Sequence, residues 1–273
     1  MRILHATDFS QTAELARALA IDVARRTAGQ LHVVHVQERF LEGDSRRYLA
    51  AQADAINPEL QRRLEAEREA ETRHLRQQLG HLAEGGATTE LVWGHTLREL
   101  LRLAAAFDLV VMGAHGASPF DAVFLGGVAG RLVRRTPTPV LTVRQGCTTT
   151  EVRRLLVATD FKEAALAAWT FANWFASRSG VKLVLAHVAE GREGEVGTAQ
   201  ARLETLSAGR AERIAVVGGN PIDALPQLAV ETGSDAIVVG LRRHGAVAGL
   251  LLGARADALL RSSDVPILSV PAT

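Results

Sequence analysis

Gly113-Ala114-His115-Gly116 is followed, after nine further residues, by Gly126-Gly127 and then by Val128-Ala129-Gly130-Arg131-Leu132-Val133, whose pattern continues as a helix. That combination could cradle a phosphate. Phosphate binding needs backbone amides brought close with no side chain in the way, and glycine permits both the approach and the left-handed dihedrals. The start of the next helix adds unpaired amides and a favourable dipole. His115 has no serine or cysteine nucleophile beside it in sequence, so it reads as a loop residue rather than a base. A second copy of the pattern runs from Gly240 to Gly253 but carries Arg243 in place of Gly116 and Ala254 in place of Gly127. A long side chain at Arg243 obstructs close backbone approach. Arg242, Arg243 and Arg255 could instead hold an anion through guanidinium groups, which pair bidentately with phosphate. The alternative is a site that has lost its ligand and serves only as a packing partner.

The elements that position these residues are written twice. Ile3-Leu4-His5-Ala6-Thr7-Asp8-Phe9, closing on His35-Val36, recurs without a gap as Leu155-Leu156-Val157-Ala158-Thr159-Asp160-Phe161, closing on His187-Val188. Leu109 through Val143 recurs in the same way as Ala236 through Val270. The repeat is domain-sized, so two domains are expected, residues 1–146 and 151–273, each burying its own core. Gly146-Cys147-Thr148-Thr149-Thr150 is the polar boundary between them. Runs such as Leu31–Val36 and Leu109–Met112 predict strands buried on both faces. Between them, apolar residues four apart, as at Leu15, Leu19 and Val23 or Leu75 and Leu79, predict amphipathic helices. Strands alternating with helices imply right-handed crossovers, a parallel sheet and an α/β class. Asn220-Pro221 reads as a helix start, with a side-chain cap and a proline in the first turn.

The copies differ most between their second and third strands. The first has a long segment from Gln37 to about Thr88 with a charged helix around Glu59–Leu79, read as a solvated face laced with ion pairs. Residues 38–57 before it could form a cover over a ligand, since loops of that length are uncommon unless functional or disordered. The second copy has room only for a short helix between Ala189 and about Ala211.

Composition narrows the function. The chain is 47% hydrophobic and 22% charged, a globular balance, with no apolar run long enough to cross a bilayer. The first strand begins almost at Met1, which leaves no room for a signal segment and points to the cytoplasm. The single cysteine, Cys147, allows no intramolecular disulfide. Against 31 basic residues stand 30 acidic ones, so charge gives no general argument for nucleic acid.

Gly113-x-x-Gly116-x9-Gly126 closely resembles the nucleotide-binding signature of the universal stress proteins, in which the last glycine is followed by serine or threonine. The opening strand ending in Ala-Thr-Asp-Phe, the second ending in His-Val, the fourth ending in Met-Gly or Val-Gly, and the proline before the last strand extend the resemblance over both halves. The resemblance implies two tandem doubly wound five-stranded parallel sheets of order 3-2-1-4-5, of the adenine-nucleotide alpha-hydrolase-like type. Nucleotide would bind at the switch point between the first and fourth strands. Carried over by position, Asp8 would accept hydrogen bonds from a ribose hydroxyl or help hold a metal, Mg2+, near the phosphates. Ala6 and Val36 would line the adenine pocket, and Met112 and Gly113 would pack at base and ribose. Gly116, Gly126, Gly127 and Val128 would place amides around the phosphates, with His115 in the same loop. Read without the resemblance, Asp8 caps the next helix through the amides of Ser10 or Gln11.

Gly127 departs from the family by lacking the usual hydroxyl, which removes one donor to phosphate. What the resemblance implies is a stress-response regulatory protein that binds ATP in its first half, with a second half that is structural or binds another anion. An interaction scaffold without nucleotide is the alternative. A slow ATP hydrolase is a third reading, although no Gly-x4-Gly-Lys-Ser/Thr loop, no Ser-Gly-Gly-x-Asp-Ser loop and no His-Ile-Gly-His element is present. Members of the family pair through their last strands, so Val140–Val143 and Ile267–Val270 are expected to join the halves as an internal pseudo-dimer, with further homodimerisation open.

Overall fold

The computed structural model describes residues 1–38, 58–114, 127–189, 191, 195–242 and 254–272. The first half runs β1 (Arg2–Ala6), α1 (Gln11–Arg26), β2 (Gln30–Gln37), α2 (Pro58–His81), β3 (Thr88–Trp93), α3 (Thr96–Ala104), β4 (Leu109–Gly113), α4 (Gly127–Arg135) and β5 (Val140–Val143). The second runs β6 (Arg154–Ala158), α5 (Glu163–Ser179), β7 (Lys182–Ala189), α6 (Glu195–Ser207), β8 (Arg213–Gly218), α7 (Pro221–Thr232), β9 (Ala236–Leu241), α8 (Ala254–Ser262) and β10 (Ile267–Pro271).

Within each half the strands are parallel and ordered 3-2-1-4-5, as the resemblance implies. The two sheets are not separate. β5 pairs antiparallel with β10, Leu141 opposite Leu268, and the described strands form one ten-stranded sheet. Both are mostly apolar strands whose edges would otherwise offer open hydrogen-bonding groups to another chain.

The joined sheet changes the expectation that each half buries its own core. Period-two alternation sends Ile3, Val33 and Val111 to one face, and Leu4, Val34 and Val110 to the other. On the first face α1 and α5 pack over a cluster that includes Leu19, Trp169 and Phe175, and on the second α3, α4, α7 and α8 pack over another. Both clusters draw residues from both halves, so each core is continuous through the β5–β10 junction.

Polar contacts reinforce that junction. Asp257 in α8 accepts hydrogen bonds from Arg134 in α4 and from Arg261 in its own helix, two arginines at matching places in the repeat. Asp22, buried in α1, accepts from the backbone amide of Val152 at 2.8 Å, from Arg25 at 2.6 Å and from Arg26 at 2.7 Å, tying the connecting segment to the first half. Burial alone would raise the Asp22 carboxyl, but these hydrogen bonds outweigh it and hold the group below the usual carboxylate range. Asp22→Ala leaves the Val152 amide and two guanidinium groups without their acceptor. Urea unfolding of this variant should show a loss of about 1.5–3 kcal/mol, the range for hydrogen bonds to a charged group. A loss below 0.5 kcal/mol, the size of an ordinary surface change, would show that the segment does not depend on it.

α2 behaves as a solvated helix. It carries Glu59–Arg63 and Glu69–Arg73 ion pairs one turn apart, and buries Leu75 and Leu79 at its far end. Asn220 caps α7 by accepting from the Ile222 amide at 3.1 Å, with Pro221 in the first turn. The 38–57 cover lies, apart from Glu38, outside the described residues.

Candidate functional site

Parallel strands paired β1 to β4 bring Ala6 opposite Met112, so the chain leaves the sheet at Thr7-Asp8 beside the exit of β4 at Gly113. The strand order reverses here, and a crevice opens at the carboxyl ends of such strands. Met112 and Val36 are buried, Ala6 and Gly113 are half-buried, and Asp8 is exposed at the crevice mouth. Gly127, exposed, is the first residue of α4, and Val128 follows it half-buried. His115, Gly116 and Gly126 lie outside the described residues.

The repeated Thr-Asp-Phe signature has a structural role that the sequence reading missed. Phe9 and Phe161 both take a left-handed backbone, φ 61 and 60°, which is costly for a bulky residue. The same lock holds each turn. The Phe9 amide donates to Thr7 Oγ1 at 3.0 Å and His35 Nδ1 donates to the Thr7 carbonyl at 2.8 Å, while the ring of His35 lies 4.7 Å from that of Phe9. In the second copy the corresponding values, for Thr159, Phe161 and His187, are 2.9, 2.8 and 4.8 Å. Threonine, phenylalanine and histidine therefore recur because they fix the turn that presents the aspartate.

Asp8 and Asp160 accept equivalent backbone hydrogen bonds. Asp8 Oδ1 accepts from the Ser10 amide and Asp160 Oδ1 from the Lys162 amide, both at 3.0 Å. The cap reading of Asp8 is thus half right, because Ser10 itself caps α1 by accepting from the Ala13 amide at 3.2 Å. Asp160 also faces Lys162 Nζ at 3.2 Å and Arg242 at 3.9 Å. These two cations bracket the Asp160 carboxylate.

Gly127 and Gly240 also part company. Among the described residues, a side-chain carbon at Gly127 would meet only the far end of the Arg131 guanidinium, at 3.2 Å, whose Nε donates to the Gly127 carbonyl. At Gly240 it would lie 2.0 Å from the Ala164 carbonyl oxygen, where α5 begins. Gly240 is therefore required by packing of β9 against α5, whatever the ligand.

The second crevice is a cavity of about 880 Å³ between the ends of β6, β7 and β9 and the first turns of α5 and α8. Lys162, Arg202, Arg242 and Arg255 line it together with Asp160 and Glu195. Arg202 lies 3.9 Å over the Phe161 ring, and His187 Nε2 is 3.6 Å from Glu195. Lys162, Arg202 and Glu195 were not singled out from sequence. Each is one charge on an ordinary helix end or face, and only the fold gathers them.

No helix among the described residues is long and apolar enough to cross a membrane. The universal stress protein family model matches residues 1–144 and again 151–271. A universal stress protein of Mycobacterium tuberculosis is 27% identical over 205 residues, covering 66% of this chain and 67% of that one. Another, of Thermus aquaticus, is 29% identical over 134 residues, 43% of this chain and 98% of its own length. The crystal structure of a universal stress protein from Archaeoglobus fulgidus superposes with a TM-score of 0.72 at 21% identity, covering 100% of this chain and 98% of that one, a likeness of fold. With two successive matches to the family model and the family's strand order in each half, the chain belongs to the universal stress protein family, as a tandem member.

Proposed function

We propose that the first half, residues 1–146, is an adenine-nucleotide-binding regulatory module of the cytoplasmic stress response. The second half, residues 151–273, does not hold nucleotide in the same way. The observation that supports this reading is the convergence of Ala6, Asp8, Met112 and Gly113 at the paired ends of β1 and β4, with Gly127 as the first residue of α4. Val36 and Met112 offer an apolar wall for a base, and Asp8 offers an exposed carboxylate for a ribose hydroxyl. Among the described residues no three carboxylate, histidine or cysteine groups cluster as a metal site. Mg2+ would arrive with the phosphates, the usual pattern for that ion, with Asp8 as a candidate protein ligand. The β5–β10 pairing supports reading the two halves as an internal pseudo-dimer.

Gly116→Arg copies the second half's Arg243 into the first and should block phosphate approach. With ATP at about 100 times its dissociation constant, the native state of the unaltered protein gains about 2.7 kcal/mol, seen as a rise in melting temperature. The variant should melt at the same temperature with and without ATP. Equal stabilisation of both proteins would place the nucleotide elsewhere. A mass spectrum of ligand released from the purified protein distinguishes this module from a scaffold that has lost nucleotide.

A further inference from the structure

We infer that the free edge of β8 is a docking surface for a second copy of this chain, whose own β8 pairs with it antiparallel about a two-fold axis. The described ten-stranded sheet ends in β3 on one side and β8 on the other, each paired along one edge only. The two ends differ. β3 carries a charge near its middle, Glu90, whose carboxylate lies 3.0 Å from His32 Nε2, and a charge there keeps other strands off an edge. β8 reads Arg213-Ile214-Ala215-Val216-Val217-Gly218 and runs beside β7 in six unbroken steps, with no charge, proline or bulge inside it. Ile214 and Val216 pack toward one core and Ala215 and Val217 toward the other, yet all four stay half-buried. An apolar strand left half-covered at the end of a sheet is a template for one more strand.

Self-complementarity identifies the occupant. A two-fold axis normal to a sheet keeps each face on its own side, so it sets a residue opposite its own copy, just as Leu141 meets Leu268, the residue at its matching place in the repeat, where β5 joins β10. With the axis at Val216, Ala215 lies opposite the other copy's Val217, Ile214 opposite its Gly218, and Arg213 opposite its Gly219. Charge then matches across the axis. Arg213 shares the face of Ala215 and Val217, the face on which α7 packs. α7 begins at Pro221, just past Gly219, and carries Asp223 in its first turn. Arg213 and Asp223 are both exposed, and among the described residues neither side chain has a polar partner. Each copy's Arg213 therefore comes beside the other's Asp223, giving two reciprocal ion pairs at the rim of an apolar centre. Pairing β8 with another copy's β3 would instead lay apolar residues against Glu90 and build an open filament.

Sedimentation equilibrium of the full chain, without nucleotide, tests the pairing. The unaltered protein should be a reversible dimer, more than half associated at about 100 μM, as suits an interface of modest size. Arg213→Glu and Asp223→Arg each set like charges together across the axis and should weaken the dimer about 10-fold or more, whereas Arg213→Glu/Asp223→Arg, which swaps the pair, should restore it. Both side chains are exposed, so all three variants should keep the melting temperature of the parent. The register has its own readout. Under mild oxidation Val216→Cys, opposite its own copy, should form an intermolecular disulfide several-fold faster than Ala215→Cys, because only residues facing each other across the pair come within disulfide reach. A protein that stays monomeric at about 100 μM, a dimer indifferent to the charge variants or not restored by the swap, assembly growing beyond a dimer, or linkage through Val216→Cys no faster than through Ala215→Cys would each overturn the inference.

Discussion

Replacing His5 by valine, the residue at the matching position Val157 of the second half, should remove about 3 kcal/mol of the stability that the protein loses between pH 7 and pH 4. His5 stands in the middle of β1 on the face packed under α1, fully buried. Its Nδ1 donates to the Val111 carbonyl at 3.0 Å, and among the described residues its Nε2 has no partner. Burial pulls the imidazole from 6.5 down to about 4, with the Val111 carbonyl and Glu14 opposing only in part. A group whose pKa is lowered by folding binds its proton more readily in the unfolded chain. Its contribution is therefore complete above pH 6.5 and is lost as pH falls toward 4. Other carboxylates also titrate in this range, so the quantity to compare is the difference between unaltered and His5→Val protein in urea unfolding at the two pH values. At pH 7 the variant should match or exceed the parent, since it trades one hydrogen bond for the removal of an unpaired buried nitrogen. Parallel stability curves from pH 7 to pH 4 would mean that His5 is solvated or paired in solution.

Gly127→Ser should tighten ATP binding by roughly 10- to 100-fold. The hydroxyl restores the donor that the family carries after its last motif glycine, and a charge-assisted hydrogen bond to phosphate is worth about 1.5–3 kcal/mol. Among the described residues, the added carbon meets only the movable end of Arg131 at 3.2 Å. Serine is also among the best residues at a helix start. Gly127→Ala is the control: it adds the carbon without the hydroxyl and should bind ATP no more tightly than the parent. Equal affinity of the serine and alanine variants would show that no phosphate oxygen lies within reach of this position.

Helix positions and the alignment of the two copies could be read from periodicity and repetition, because they follow from residues close in sequence, whereas the strand order was implied by the family resemblance. The charged helix over Pro58–His81 and the Asn220 cap are local in the same sense. What escaped was nonlocal. The continuous cores depend on β5 meeting β10 edge to edge, and no single-strand pattern encodes how two sheets fuse once they touch. The Thr7–Phe9–His35 lock links a turn to the strand next to it, so its members look in sequence like parts of a nucleotide motif. Gly240 was read as keeping the motif spacing, and the helix backbone pressed against it demands a glycine on packing grounds as well. The second crevice reads from sequence as an arginine cluster and becomes a cavity only when Lys162, Arg202 and Glu195 are folded around it.

The asymmetry of the two crevices is the centre of this account, and ATP calorimetry on the full chain with Asp8→Ala and Asp160→Ala measures it directly. The two aspartates accept the same backbone hydrogen bond at 3.0 Å, so both variants should lose a similar stability of about 0.5–2 kcal/mol. In the proposed reading, only Asp8 meets the nucleotide. The unaltered protein should bind one ATP per chain, Asp8→Ala should weaken that binding by about 10-fold, and Asp160→Ala should leave it unchanged. Two equivalent ATP sites per chain, or equal weakening by the two variants, would contradict the account and make the second half a working nucleotide site.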